Sequence, residues 1–199
     1  MSEQKIRVAA VSYLNTQPLL YGFTNNPVLK RMELSVDYPA KIAAQLINDE
    51  VDVGLIPVAV IPQLSEYHII SDYCIGAEGP VASVCLFSDV PLHNIREIFL
   101  DYQSRSSVAL TRLLLKEYWK INPVLLQAYP GYEKDIKNNT AGIIIGDRAL
   151  QQRSKSKYIY DLAEAWISYA KLPFVFAAWI SNKSLPEDFI IAFNKATGA

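Results

Sequence analysis

Short apolar runs alternate with segments of helical period twice over along this chain, and no other feature constrains the fold as strongly. "IRVAAVS", residues 6 to 12, is apolar almost throughout, as a parallel strand covered on both faces must be. A helix is expected from Thr16 to Phe23, with Asn15 or Thr16 capping it and Pro18 in its first turn. "MELSVDYP" alternates as a strand, and Asp37 and Tyr38 then meet Pro39, a helix-start signal. "AKIAAQLINDE" sets Ile42, Ala43, Leu46 and Ile47 on one helical face. "VDVGLIPV" reads as a third strand, followed by a short helix from Val60 to Tyr67.

"IISDYCIGAEGPVASVCLFSD" is β-like but broken at Gly76, Gly79 and Pro80, and a second series begins near Pro91. There "IREIFLD", "PVLLQAY" and "AGIIIGD" read as strands. "SRSSVALTRLLLKEYW" reads as an amphipathic helix with Val108, Leu113, Leu114 and Tyr118 inward, and "RALQQR" as a shorter one. "KLPFVFAAWIS" looks like a return crossing, and "LPEDFIIAFNKA" opens a final helix. Strands alternating with helices give an α/β fold. Two successive series give two lobes, with residues 1–88 and 177–199 expected in lobe one and 89–176 in lobe two.

Composition narrows the function classes. The 199 residues are 51% hydrophobic, ample for a core. The 19 basic and 20 acidic residues leave a net charge of -1. Nucleic-acid surfaces need clustered Lys and Arg, so no nucleic-acid partner is expected. No stretch approaches the roughly 18 apolar residues of a membrane span. The opening "MSEQKIRV" lacks the apolar region of a signal peptide. The expected compartment is therefore the cytoplasm. Cys74 and Cys85 match no metal spacing; one disulfide is possible, but both are expected as buried thiols.

In open α/β sheets ligands bind beyond the carboxyl ends of the strands, and in this chain those ends are polar. "SYLNTQP" brings Ser12, Tyr13, Asn15 and Thr16 together. They either direct amide and hydroxyl groups at an anion beside a helix N-terminus, or form an ordinary capped helix start. "DYQSRSSVALTR" puts Ser104, Ser106 and Ser107 ahead of a long helix. That is a carboxylate cradle, to which Arg105 either adds a cation or, pointing to solvent, adds nothing, or it is a capping arrangement without ligand. Ser83 in "EGPVASVCLFS" is a small polar residue in an apolar strand, facing either a cleft or the core. In "GIIIGDRAL", Gly146 ends a strand and Asp147 is placed to cap the next helix.

The remaining signatures are missing. His68 and His93 lie in turn-like surroundings and are expected to be exposed. There is no zinc spacing, no nucleotide-binding glycine pattern, no GxSxG elbow and no legible Cys–His pairing. The polar corners offer Asn, Ser, Thr and Tyr, which bind and orient well but supply no strong base near neutral pH.

Six collinear stretches, "VSYLNTQPL", "DVGLIPV", "ASVCLFS", "LDYQSRSSVALTRLLL", "IIIGDRAL" and "YDLAEAW" with "LPFVFAAW", together resemble the chorismate dehydratase family of the futalosine route to menaquinone. The resemblance implies a two-lobed fold like that of type II periplasmic binding proteins, with a ligand cleft between the lobes. It implies a lyase that takes chorismate to 3-(1-carboxyvinyloxy)benzoate with no metal or organic cofactor. The family's asparagine and serine fall on Asn15 and Ser83 as catalytic residues. Ser12, Tyr13, Thr16, Arg105, Ser106, Ser107, Gly146 and Asp147 complete the candidate substrate-binding set. Members continue for some tens of residues beyond the match to "FNKATGA", with further helices expected on the first lobe.

The implied elimination removes a proton from the ether-bearing carbon and hydroxide from its neighbour. With no protein base in the motifs, a carboxylate of the substrate is the expected proton acceptor, while Asn15 and Ser83 orient the substrate and stabilise the leaving oxygen. The rivals are a small-anion solute-binding protein of the same fold, a sister enzyme of the same pathway, and the effector domain of a regulator. The sequence leaves the oligomeric state open.

Overall fold

The computed structural model describes residues 5–199. Residues 1–4, on which the leader and lobe-one readings partly rest, lie outside the described residues. In chain order the elements begin β1 (Ile6–Val11), α1 (Gln17–Tyr21), β2 (Met32–Asp37), α2 (Pro39–Ile47), β3 (Val53–Pro57) and β4 (His68–Ala77). They continue with β5 (Val84–Ser88), β6 (Glu97–Leu100), α3 (Ser106–Leu113), β7 (Val124–Gln127), β8 (Thr140–Ile145), α4 (Asp147–Gln152), β9 (Tyr158–Asp161) and α5 (Leu162–Ala170). The last two are β10 (Phe174–Ser181) and α6 (Glu187–Thr197).

The chain divides into two compact units. One comprises the described residues up to Ile75 with Val175–Ala199, the other Gly76–Phe174. The first boundary therefore falls earlier than the expected division after residue 88. The reason is β5, which pairs antiparallel with β8 and β9 and so belongs to the second unit.

In the first unit the strand order is β2-β1-β3-β10-β4. β1 is parallel to β2 and β3, and β10 lies antiparallel to β3. Val8, Ala9 and Ala10 are fully buried, which explains why the β1 run carries no polar face. Pro39 opens α2, where its missing N–H costs nothing. Ile42, Ala43 and Leu46 point into the core, but Ile47 is 44% exposed rather than inward. It is the last residue of α2, where the chain turns away through Asp49 at φ 56. The helix expected at Val60 to Tyr67 is instead a 3-10 turn, Val58–Gln63, with Pro62 inside it. An aromatic cluster closes the core. Phe193 of α6 lies 5.0 Å from Phe23 and 5.0 Å, edge-on, from Trp179 of β10.

The second unit repeats the same plan. Its order is β7-β6-β8-β5-β9, with β6 parallel to β7 and β8, and β5 antiparallel to β8. β6 thus corresponds to β1, and β8 to β3. α3 and the turn that continues it bury Leu110, Thr111, Leu115 and, as expected, Leu114, whereas Leu113 and Tyr118, also expected inward, are 37% and 40% exposed. The stripe is set by Ser107, which is buried one turn earlier. After Leu113 the helix widens into a π turn, Leu114–Tyr118, in which Leu114 and Leu115 are buried. Both cysteines are free: Cys85 is buried as expected, but Cys74 is exposed on β4. No described helix is long and apolar enough to cross a membrane.

Candidate functional site

The first polar corner follows β1. Ser12 N donates to Asp37 O at 3.0 Å, carrying the pairing with β2 one residue past the strand. Tyr13 stays extended, and a 3-10 turn over Leu14–Thr16 leads into α1. The turn is closed by backbone alone, Thr16 N to Tyr13 O at 3.0 Å. Neither Asn15 nor Thr16 caps α1, contrary to expectation, because the 3-10 turn has already engaged the first N–H groups. With five residues α1 is also too short for a useful helix dipole, so what this corner can offer a ligand is its side chains. Ser12 and Asn15 are exposed, Tyr13 is half-buried and Thr16 is fully buried. The Asn15 carboxamide has no partner among the described residues. Thr16 Oγ1 is buried with none either.

The second unit assembles three segments at one end of its sheet. β6 is followed directly by Asp101, whose side chain is wholly buried. Its oxygens accept from Gln103 N at 2.8 Å, Ile145 N at 3.1 Å and Tyr132 OH at 3.2 Å. Arg148 Nη2 donates to both, at 2.9 and 2.6 Å, while Arg148 Nη1 reaches Glu133 at 2.7 Å. Burial opposes the charge on Arg148, but Asp101 and Glu133 outweigh it and hold the guanidinium above its ordinary value. Burial also pushes the Tyr132 phenol up, with the Asp101 charge adding to it. The Asp101 carboxylate thus ties the start of α3 to the end of β8 and the start of α4.

Around this anchor lie the predicted residues. Arg105 holds the cap position of α3, and Ser104 just before it braces the helix start: its Oγ accepts from Ser107 N at 3.1 Å. Ser106 and Ser107 are each 3% exposed, while Arg105 is exposed and meets no carboxylate among the described residues. Gly146 takes φ 65, ψ -149, a region open essentially to glycine alone. Gly146, not Asp147, stands at the cap position of α4; Asp147 is its half-buried first residue. Gly146 N donates to Ser83 O at 2.8 Å, and Val84 pairs with Ile145. Ser83, Gly146, Asp147 and Arg105–Ser107 therefore gather at the end of this sheet where β6 and β8 finish, as the ligand rule for α/β sheets requires. Ser83 is half-buried, and its hydroxyl has no partner among the described residues.

His68 and His93 are both exposed. Among the described residues no group of three or more His, Cys, Asp or Glu is placed to hold a metal ion. Sequence reasoning missed the Asp101–Arg148–Glu133 network, whereas the hydrogen bond from Ser107 N to Ser104 matches the capping alternative. Asp101 and Arg148 stood at strand ends already noted as polar, but nothing local signals that they pair.

A family model described as menaquinone biosynthesis matches residues 6–199. A chorismate dehydratase from Thermus thermophilus is 27% identical, covering 74% of this chain and 60% of that protein. The chain thus spans less than two thirds of the length of this relative. Among solved structures, a protein from Archaeoglobus fulgidus superposes with a TM-score of 0.77 at 16% identity, covering 99% of this chain and 75% of that one. The alkanesulfonate-binding protein SsuA from Xanthomonas axonopodis gives 0.59 at 13% identity, covering 96% and 72%. The effector binding domain of QuiR in complex with shikimate gives 0.57 at 15%, covering 98% and 96%. At such identities the likeness speaks to fold alone, and that fold is the two-lobed periplasmic-binding-protein type.

Proposed function

The chain belongs to the menaquinone biosynthesis family, and from that premise we propose that it is a hydro-lyase dehydrating chorismate to 3-(1-carboxyvinyloxy)benzoate in the cytoplasm. The observation that carries this reading is that the Asn15 carboxamide and the Ser83 hydroxyl have no partner among the described residues. Such a carboxamide and hydroxyl are suited to orienting a polar substrate and to donating to the leaving oxygen. Arg105, Ser106 and Ser107 at the start of α3 are the groups assigned to a substrate carboxylate. Ser12, Tyr13 and Thr16 accompany Asn15, and Gly146 and Asp147 accompany Ser83, as the remaining substrate-binding residues.

In the proposed reaction a carboxylate of chorismate takes the proton from the ether-bearing carbon. The C–H electron pair forms the new ring double bond as hydroxide leaves the adjacent carbon, and that hydroxide takes a proton to become water. The ring becomes aromatic, which drives the step. No cofactor is required.

The purified chain is expected to convert chorismate with loss of one water, read by mass, and with new aromatic absorbance. Asn15→Asp and Ser83→Ala are each expected to suppress turnover. Unchanged turnover in both would remove these residues from the mechanism. A second reading is that of a small-anion binder without catalysis. The shared fold with a sulfonate-binding protein and with a shikimate-bound effector domain favours it. Chorismate raising the melting temperature with no product formed would select it.

A further inference from the structure

Ser83 follows a backbone turn that is costly for its residues. Ser83 N folds back onto Val81 O at 2.6 Å, and Ala82 between them sits at φ 60. A non-glycine residue there is strained, and it persists only where neighbours over-determine it.

The neighbour in this case is one carboxylate. Asp161 Oδ2 accepts from Val81 N at 2.9 Å and from Ala82 N at 2.7 Å. The Cys85 thiol lies 3.8 Å from the same oxygen and is kept protonated, its pKa pushed up to about 12 by burial and by the Asp161 charge. The other oxygen, Oδ1, caps α5 through Ala163 N at 3.0 Å and Glu164 N at 3.2 Å. Arg153 Nη1 donates to Ala82 O at 3.3 Å, so the turn is gripped on both its donor and acceptor sides. Ser83 O meanwhile accepts from Gly146 N. The N–H and C=O groups of Val81, Ala82 and Ser83 are all engaged, while the Ser83 hydroxyl has no partner among the described residues.

We propose that Asp161 is a positioning residue: by holding the Val81–Ala82 turn it aims the Ser83 hydroxyl. This rests on the reading of Ser83 as catalytic. Asp161 acts through the turn and touches no reacting atom.

The test uses the full chain with Asp161→Asn, Asp161→Ser, and Asp161→Asn combined with Ala82→Gly. Asn and Ser both retain an oxygen that caps α5, but neither offers a second acceptor to the turn. Each is expected to lower kcat by roughly tenfold to a hundredfold through misplacement of the hydroxyl, with KM little changed. Val81 and Ala82 amides are expected to exchange faster while α5 keeps its protection. Ala82→Gly is expected to recover part of the lost kcat, because glycine takes positive φ without help. A role confined to stability would lower the melting temperature with no such rescue.

A wild-type kcat in both single variants, or unchanged exchange at Val81 and Ala82, overturns the proposal. The failure of the underlying reading looks different. Ser83→Ala would then turn over as fast as wild type, while Asp161→Asn still loosened the turn, and the catalytic part of the proposal would fall with it.

Discussion

Arg148 Nη2 lies 2.6 Å from Asp101 Oδ2, in an ion pair whose carboxylate is wholly buried and whose guanidinium is 24% exposed. A buried pair of this kind adds little net stability over an apolar pair, yet breaking one side leaves a charge with no compensation. Arg148→Met is therefore expected to cost about 3–5 kcal/mol in urea unfolding. Arg148→Lys is expected to recover only part, since one ammonium cannot span Asp101 and Glu133 as the planar fork does.

The acid limb of stability is expected to depend on Asp52. Burial alone would raise its pKa, but hydrogen bonds from Arg7 and Lys183 win and hold it well below the ordinary 3.8. A carboxyl lowered by folding contributes fully above its unfolded value and loses that contribution as pH falls through the lower folded one. Asp52→Asn is thus expected to be less stable than wild type at about pH 7, with the gap narrowing below about pH 4. Urea titrations across that range check it; a gap that stays constant would refute it.

The two thiols are expected to separate cleanly. Cys74 is exposed and Cys85 buried, with its pKa pushed up to about 12. A disulfide reagent at neutral pH should modify Cys74 at once and Cys85 only on unfolding. Two thiols modified in the native protein would contradict this.

Glycines at 22 and 79 form a matched pair. A Cβ at Gly22 would lie 1.8 Å from Ala196 O, a backbone atom of α6, whereas one at Gly79 meets nothing within 4 Å. Gly22→Ala is expected to cost about 1–3 kcal/mol by forcing α1 from α6. Gly79→Ala should stay within about 0.5 kcal/mol. Thermal unfolding of both variants decides it.

What was legible in the sequence was whatever is encoded locally. β1, β3 and β8 show as unbroken apolar runs because both faces are covered, and α2 shows because Pro39 sits at its first position. The polar corners were visible as places: Ser12 to Thr16, Asp101 to Ser107, Gly146 to Asp147. What escaped depends on distant partners. Asp101 meets Arg148 47 residues on, and Asp161 meets Val81 80 residues back. No period announces either contact. Capping was misassigned at Thr16 and Asp147 because a 3-10 turn and a glycine at positive φ each shift the helix start by a residue or more. Leu114 is buried as expected, but Leu113 faces out because the buried stripe runs through Ser107, Leu110, Thr111 and Leu114, and Tyr118 falls in the π turn, where the period changes.

The two sheets share one plan but differ in when each is complete. The second unit is a single stretch, Gly76–Phe174, and holds all the strands its sheet needs. The first sheet places β10 between β3 and β4, with Ala177 opposite Pro57, so its central gap is filled only after the second unit has been made. On a ribosome, which releases the chain from its amino end, the second unit is therefore free to form while β3 still presents a bare edge and Phe23 still lacks Trp179. The half of the molecule that begins earlier is thus the half that finishes later, and during that interval its apolar strands stand open to other chains.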